Sequence, residues 1–298
     1  MGKLPILHRR RLFGTKPGTV LTVGIFFAVL GAAFLHASWN ALIKTGTSKQ
    51  SAMMILAICQ AGIGAIIALW RGWPLAAAWP WLVGSGVIHM FYQLFLSYAY
   101  QYGDLSRVYP IARGAAPVIV LAISGLFLSD TITTPELAGI LVLGAGILLM
   151  ARGVLAQGEQ RKLLPFALGS AVATAGYSIT DGMGARAAGD PVLYVGWLMV
   201  VAGLFYVPVA LAMNGTALLR APLRGWAMGA LAGALSLGAY AIAVWAMTQA
   251  PIAVVAAVRE TSILFAVLIG WLVFGEKMTR SKGLAAVIIL AGVVMTRL

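Results

Sequence analysis

Eight predominantly apolar runs of about twenty residues decide what this chain can become. They are Val20 to Leu42, Ala52 to Trp70, Trp81 to Tyr100, Val108 to Leu128, Leu163 to Ala185, Val192 to Met213, Trp226 to Met247 and Ile252 to Phe274. A run of this length spans a hydrocarbon core of about 30 Å only as a helix, because lipid offers no partner to a backbone N–H or C=O. Two shorter runs, Leu137 to Met150 and Gly283 to Met295, can reach across if their polar flanks add a turn, which brings the predicted count to ten. Only 10% of the residues are charged, against about a quarter in a soluble domain. The sequence therefore predicts an all-α integral membrane protein with a mean hydropathy of +0.94.

Charge and cysteine usage exclude several alternatives. The lone Cys59 rules out an intramolecular disulfide and a cysteine-built metal site. Lys3, Arg9, Arg10, Arg11 and Lys16 precede an apolar run longer than the core of about 7 to 15 residues of a signal peptide, so residues 1–19 read as a basic cytoplasmic segment before a retained first helix. The net charge of +13 is spread over short loops and helix ends, which fits membrane-surface anchoring rather than nucleic acid. The basic N-terminus favours a cytoplasmic start, and an even number of spans returns the C-terminus to the same side.

The longest interior polar stretch, Arg152 to Leu163, divides the ten predicted spans equally. A shift of 146 residues lays Arg113 on Arg259, Asp130 on Glu276, Thr133 on Thr279 and Gly146 on Gly292, and a shift of 138 lays Trp39 on Tyr177. Two units at 20–153 and 163–298, joined by a linker at 154–162, are expected; with five spans each they run in opposite senses. Inverted repeats with a site between them near the midplane are the plan of many secondary transporters. Glycines on the short spans, among them Gly139, Gly144, Gly146, Gly283 and Gly292, suit close helix packing.

Polar side chains fall in stripes at helical spacing. On the third span His89, Tyr92 and Gln93 share a face with Tyr100. Matching strips lie on the first and sixth spans, with His36, Trp39 and Asn40 on one and Thr174, Tyr177, Ser178 and Asp181 on the other, while Ser236 and Tyr240 line up on the eighth. Intramembrane polar groups face a bundle interior or a wet cavity, so these strips predict the wall of a substrate path. The plainer alternative for His89 and Tyr92 is a hydrogen-bonded packing pair. On the fourth span Tyr109 and Arg113 align.

Arg113 and Arg259 each lie about seven residues into a span, some 10 Å deep. Snorkelling to the nearer interface would also account for them. Asp181 sits at a depth comparable to Arg259, which predicts an ion pair and a gate between the two. Arg113 has no such partner in the repeat and is expected to meet an anionic group of a substrate. Glu260, Asp181, His36 and His89 are the candidate proton carriers. No zinc-protease, serine-hydrolase or nucleotide-binding signature is present, so neither an enzyme nor a cofactor or metal is expected.

The first-span motif "LHASWNALIK" and the half-ends "FLSDTITTPELAGILVLGAGILLM" and "VFGEKMTRSKGLAAVIILAGVVM" resemble the EamA-domain branch of the drug/metabolite transporter superfamily. The resemblance implies a multi-pass protein of the bacterial inner membrane with both termini cytoplasmic, working by alternating access. It also implies export of amino acids, aromatic ones among them, or of related metabolites. His89, Tyr92, Tyr109, Trp39 and Tyr177 would stack on such cargo, with Gln93 and Tyr240 beside them and Arg113 or the positive N-terminal end of a broken helix on its carboxylate. A multidrug carrier of the same fold and an intramembrane enzyme are the alternatives. The expected partners are a small-molecule substrate and lipid, with no nucleic acid. Both halves lie in one chain, so a monomer suffices.

Overall fold

The computed structural model describes residues 21–44, 48–102, 108, 112–113, 116–128, 130–155, 162–275 and 278–298. Tyr109 and Glu276, named above, lie outside the described residues. The chain runs through α1 (Val23–Lys44), α2 (Lys49–Arg71), α3 (Trp79–Tyr102), α4 (Ala116–Phe127), α5 (Thr134–Leu155), α6 (Leu163–Ala188), α7 (Pro191–Asn214), α8 (Leu223–Gln249), α9 (Ile252–Arg259), α10 (Ser262–Phe274) and α11 (Arg280–Met295). Among the described residues, eight helices are long and apolar enough to cross a membrane, with α9 and α10 counted as one broken span. The described part of α4 has 12 residues and α11 has 16.

The fifth run is longer than its apolar centre suggests, extending to 22 residues in α5. Its start is fixed by a capping box: Thr133 N donates to Glu136 Oε2 at 2.8 Å, and Glu136 N donates back to Thr133 Oγ1 at 3.4 Å. Asp190 caps α7 in the same spirit, accepting from Val192 N and Leu193 N at 2.9 and 3.1 Å, with Pro191 at the first helical position where no N–H is needed. Among the described residues, four helix ends use glycine at positive φ, from 65° at Gly275 to 92° at Gly72.

Helix packing comes in matched pairs. The most extensive contacts join α3 to α6, α1 to α8, α2 to α7 and α5 to α11, followed by α3 with α7 and α2 with α8. At two of these crossings the backbones nearly touch. A Cβ on Gly292 would meet Leu143 N at 2.5 Å and Gly139 O at 2.7 Å, and one on Gly64 would meet Gly196 O at 2.6 Å. Without a hydrophobic driving force in lipid, such contact between small residues is what holds helices together. Gly283 departs from that expectation, since nothing lies within 4 Å of its missing side chain.

One membrane face is tied together. Arg186 at the end of α6 makes a two-pronged pair with Asp130 at 2.7 and 3.1 Å, and Asp130 also accepts from Ile252 N at 2.9 Å at the start of α9. The same guanidinium donates to the carbonyls of Met247 and Ala250 at the end of α8. Arg71 pairs with Asp190 on this face, and Arg297 donates to the carbonyl of Leu21, which brings the C-terminal end beside the start of α1.

Candidate functional site

Between the helices lies a cavity of about 40 Å³ walled by both halves of the chain. From α1 come His36 and Trp39, from α3 His89, Tyr92 and Gln93, and from α6 and α8 Tyr177, Ser236 and Tyr240. The volume has room for a few waters and none for an amino acid. The polar strips of the first, third, sixth and eighth spans thus meet around one space. They do so because α1 packs on α8 and α3 on α6, with their polar faces turned inward.

The aromatic rings form a box. His89 stacks on Tyr177 with centroids 4.4 Å apart and planes at 20°, and Tyr92 and Tyr240 stand edge-on to Tyr177 at 5.2 and 5.8 Å. Trp39 Nε1 donates to His36 Nδ1 at 3.2 Å. Tyr100, expected on the same stripe as His89, is not part of the cavity lining and donates to Asn40 Oδ1 at 3.2 Å, linking α3 to α1.

Three donors surround Asp181, which is fully buried. His89 Nε2 lies 3.1 Å from Oδ2, Tyr194 Oη donates to Oδ1 at 2.9 Å, and Tyr240 Oη donates to Oδ2. The expected ion pair with Arg259 does not form. Arg259 instead reaches Tyr177 Oη at 3.4 Å and Ser178 Oγ at 3.3 Å, one helical turn before Asp181. Its guanidinium lies 5.6 Å from the Tyr177 ring and 5.8 Å from that of Tyr240. Tyr240 stands at both residues, bonding to Asp181 with its hydroxyl and occupying the space beside Arg259 with its ring.

Arg113, expected to have no ion-pair partner in the repeat, has one. Its Nε and Nη2 donate to the two oxygens of Glu260 at 3.0 and 2.8 Å, and Nη1 donates to Tyr177 Oη at 3.2 Å. This fork is fully buried, and its geometry is that of a strong charge-assisted pair. The arginine expected to await an anion is therefore committed, and the one expected to be paired is not. Nε and Nη1 of Arg259 are buried without a hydrogen-bond partner.

Gln60, Tyr194 and Arg186 were not singled out by the sequence. Gln60 donates to Ser236 Oγ at 3.0 Å across the cavity, from a helix where it is an isolated polar residue. Tyr194 sits in the first turn of α7, where an aromatic ordinarily marks an interface. One signal was available for Arg186: it is a basic residue in the last turn of its helix, where a cation meets the carbonyl end.

A second cavity of about 290 Å³ opens on the other face, between the end of α1 and the starts of α2 and α8. Its lining includes Ile43, Ala52, Ile55 and Ala232, one turn or less from Trp39, Met53, Leu56 and Ser236 of the inner cavity. No group of three or more metal-ligating side chains occurs among the described residues.

The EamA-like transporter family matches residues 22–152 and again 161–298. No curated protein matches the chain. A solved structure described only as "Crystal structure of protein" shares the fold, with a TM-score of 0.69 over 92% of this chain and 96% of the other at 17% identity.

Proposed function

We propose a cargo and a mechanism from one premise: the chain belongs to the EamA-like transporter family, whose members are membrane transporters of the drug/metabolite type. Ten spans form two inverted five-helix repeats, and the protein exports amino acids, aromatic ones included, or related small metabolites by alternating access. The helix pairing supports the repeat. Exchanging first for sixth, second for seventh and so on turns the α1–α8 contact into α6–α3 and the α2–α8 contact into α7–α3, and leaves α2–α7 and α5–α11 unchanged. The two separate family matches support the same division.

The observation that carries the reading is the aromatic cavity walled by both halves. Stacked rings suit an aromatic or apolar side chain, and the few polar groups suit its polar end. The vestibule on one face and the Arg186–Asp130 clasp on the other describe a path nearer to opening on the vestibule side. The clasp thus takes the gate role first given to Asp181 and Arg259. In a bacterial inner membrane with both termini cytoplasmic, the vestibule faces outward.

The test is counterflow of labelled phenylalanine, threonine and methionine in liposomes containing the purified chain. Saturable uptake of at least one is expected, and its absence for all three in folded protein contradicts amino-acid cargo.

A further inference from the structure

We propose that Arg259, with the hydroxyl of Tyr177, is the receptor for an anionic group of the transported molecule, a carboxylate by its chemistry. The inference rests on the transporter reading and deepens it by fixing one feature of the cargo. Arg259 ends α9, a helix buried along its whole length, and is itself only 3% exposed. Among the described residues its only hydrogen bonds are to two neutral hydroxyls, both long, and two of its three nitrogens have no partner there. A buried donor left unmade is costly, and more so on a charged group.

The neighbouring carboxylates do not relieve it. Glu260, the next residue, turns to Arg113, and Asp181 is held by His89, Tyr194 and Tyr240. Arg113 and Arg259 converge on the Tyr177 oxygen, so this hydroxyl accepts from both and keeps its own proton for a third partner. Two buried guanidiniums and one hydroxyl proton therefore converge where Glu260 turns to Arg113 and not to Arg259. A carboxylate can accept from Arg259 and from Tyr177 together.

The location fits a cargo group rather than a structural ion. Tyr177 and Tyr240 wall the inner cavity, and Arg259 lies directly behind their rings. An anion arriving from the cavity reaches the guanidinium once these rings part, which ties seating of the charge to enlargement of the site.

Thermal unfolding of the purified full chain in detergent tests this, with phenylalanine, 3-phenylpropanoate, acetate and 2-phenylethylamine as probes. Wild type is expected to be stabilised by 3-phenylpropanoate and phenylalanine far more than by 2-phenylethylamine, which lacks the carboxylate. Arg259→Gln should weaken the apparent affinity for carboxylates about 10- to 100-fold, with Arg259→Lys between the two. Without ligand, Arg259→Gln should melt no lower than wild type, an outcome a structural arginine would not give. Tyr177→Phe provides a second variant, with a smaller loss toward the same carboxylates. Equal responses of wild type and Arg259→Gln to every carboxylate overturn the proposal, as does wild-type stabilisation by 2-phenylethylamine matching that by 3-phenylpropanoate, or no response to any carboxylate. Stabilisation by 3-phenylpropanoate without amino-acid counterflow leaves the receptor standing and overturns only the amino-acid cargo.

Discussion

Arg113 and Arg259, which a shift of 146 residues lays on each other, are both buried and both reach the hydroxyl of Tyr177. One closes a two-pronged pair with Glu260, and the other keeps two nitrogens without partners. The difference lies in a single neighbouring carboxylate. Glu260 follows Arg259 in sequence but points around the helix toward the other arginine, so the second half supplies the counter-charge of the first and leaves its own cation unanswered. Two arginines matched in sequence thus differ in their setting through the direction of one carboxylate.

The sharpest way to break this comparison is to remove each arginine in turn. Arg113→Gln leaves Glu260 buried and unpaired and should cost about 3–5 kcal/mol of stability. Arg259→Gln should cost little or nothing, and a comparable loss for both would erase the distinction. Charge reversal gives the next largest effect. Arg113→Glu and Glu260→Arg should each destabilise strongly and recover most of the loss together. The corresponding double swap of Asp181 and Arg259 should recover clearly less of its loss in thermal unfolding, because the two share Tyr240 as a neighbour but form no ion pair. Tyr177→Phe removes the shared hydroxyl and should cost about 1 kcal/mol. The smallest effect concerns the two faces rather than the two arginines. Asp130→Asn should loosen the clasp and raise labelling of a cysteine placed at Ala253, in a Cys59→Ala background, by a membrane-impermeant thiol reagent. Unchanged labelling would count against the gate role of Asp130 and Arg186.

Much of the frame could be read in advance because it follows from periodicity and length. Apolar runs of about twenty residues become membrane helices with little competition, and residues spaced three or four apart share a face. That is why Trp39, His89, Tyr92, Gln93, Tyr177 and Tyr240, drawn from four helices, line one cavity. The fifth span was underestimated because hydropathy does not count the Thr133–Glu136 capping box that starts it.

Partnering was far less legible. Depth along a helix resolves neighbours only to about a turn, or 5.4 Å. Arg259 met Ser178 and Tyr177 instead of Asp181 by that margin. The Arg113–Glu260 pair joins residues 147 positions apart, and its direction was set by how α9 turns against its neighbours. Gln60 left no periodic trace, since its polar partner Ser236 lies on another helix.

The most direct test of the account compares phenylalanine counterflow by wild type and Arg259→Gln, reconstituted at equal density from protein shown to be folded by its melting transition. Saturable flux in wild type with kcat/KM at least about tenfold lower in the variant is the expected result, matching the loss of a charge-assisted contact in a dry site. Equal flux in the two proteins would mean that the buried, unanswered arginine has no part in holding cargo.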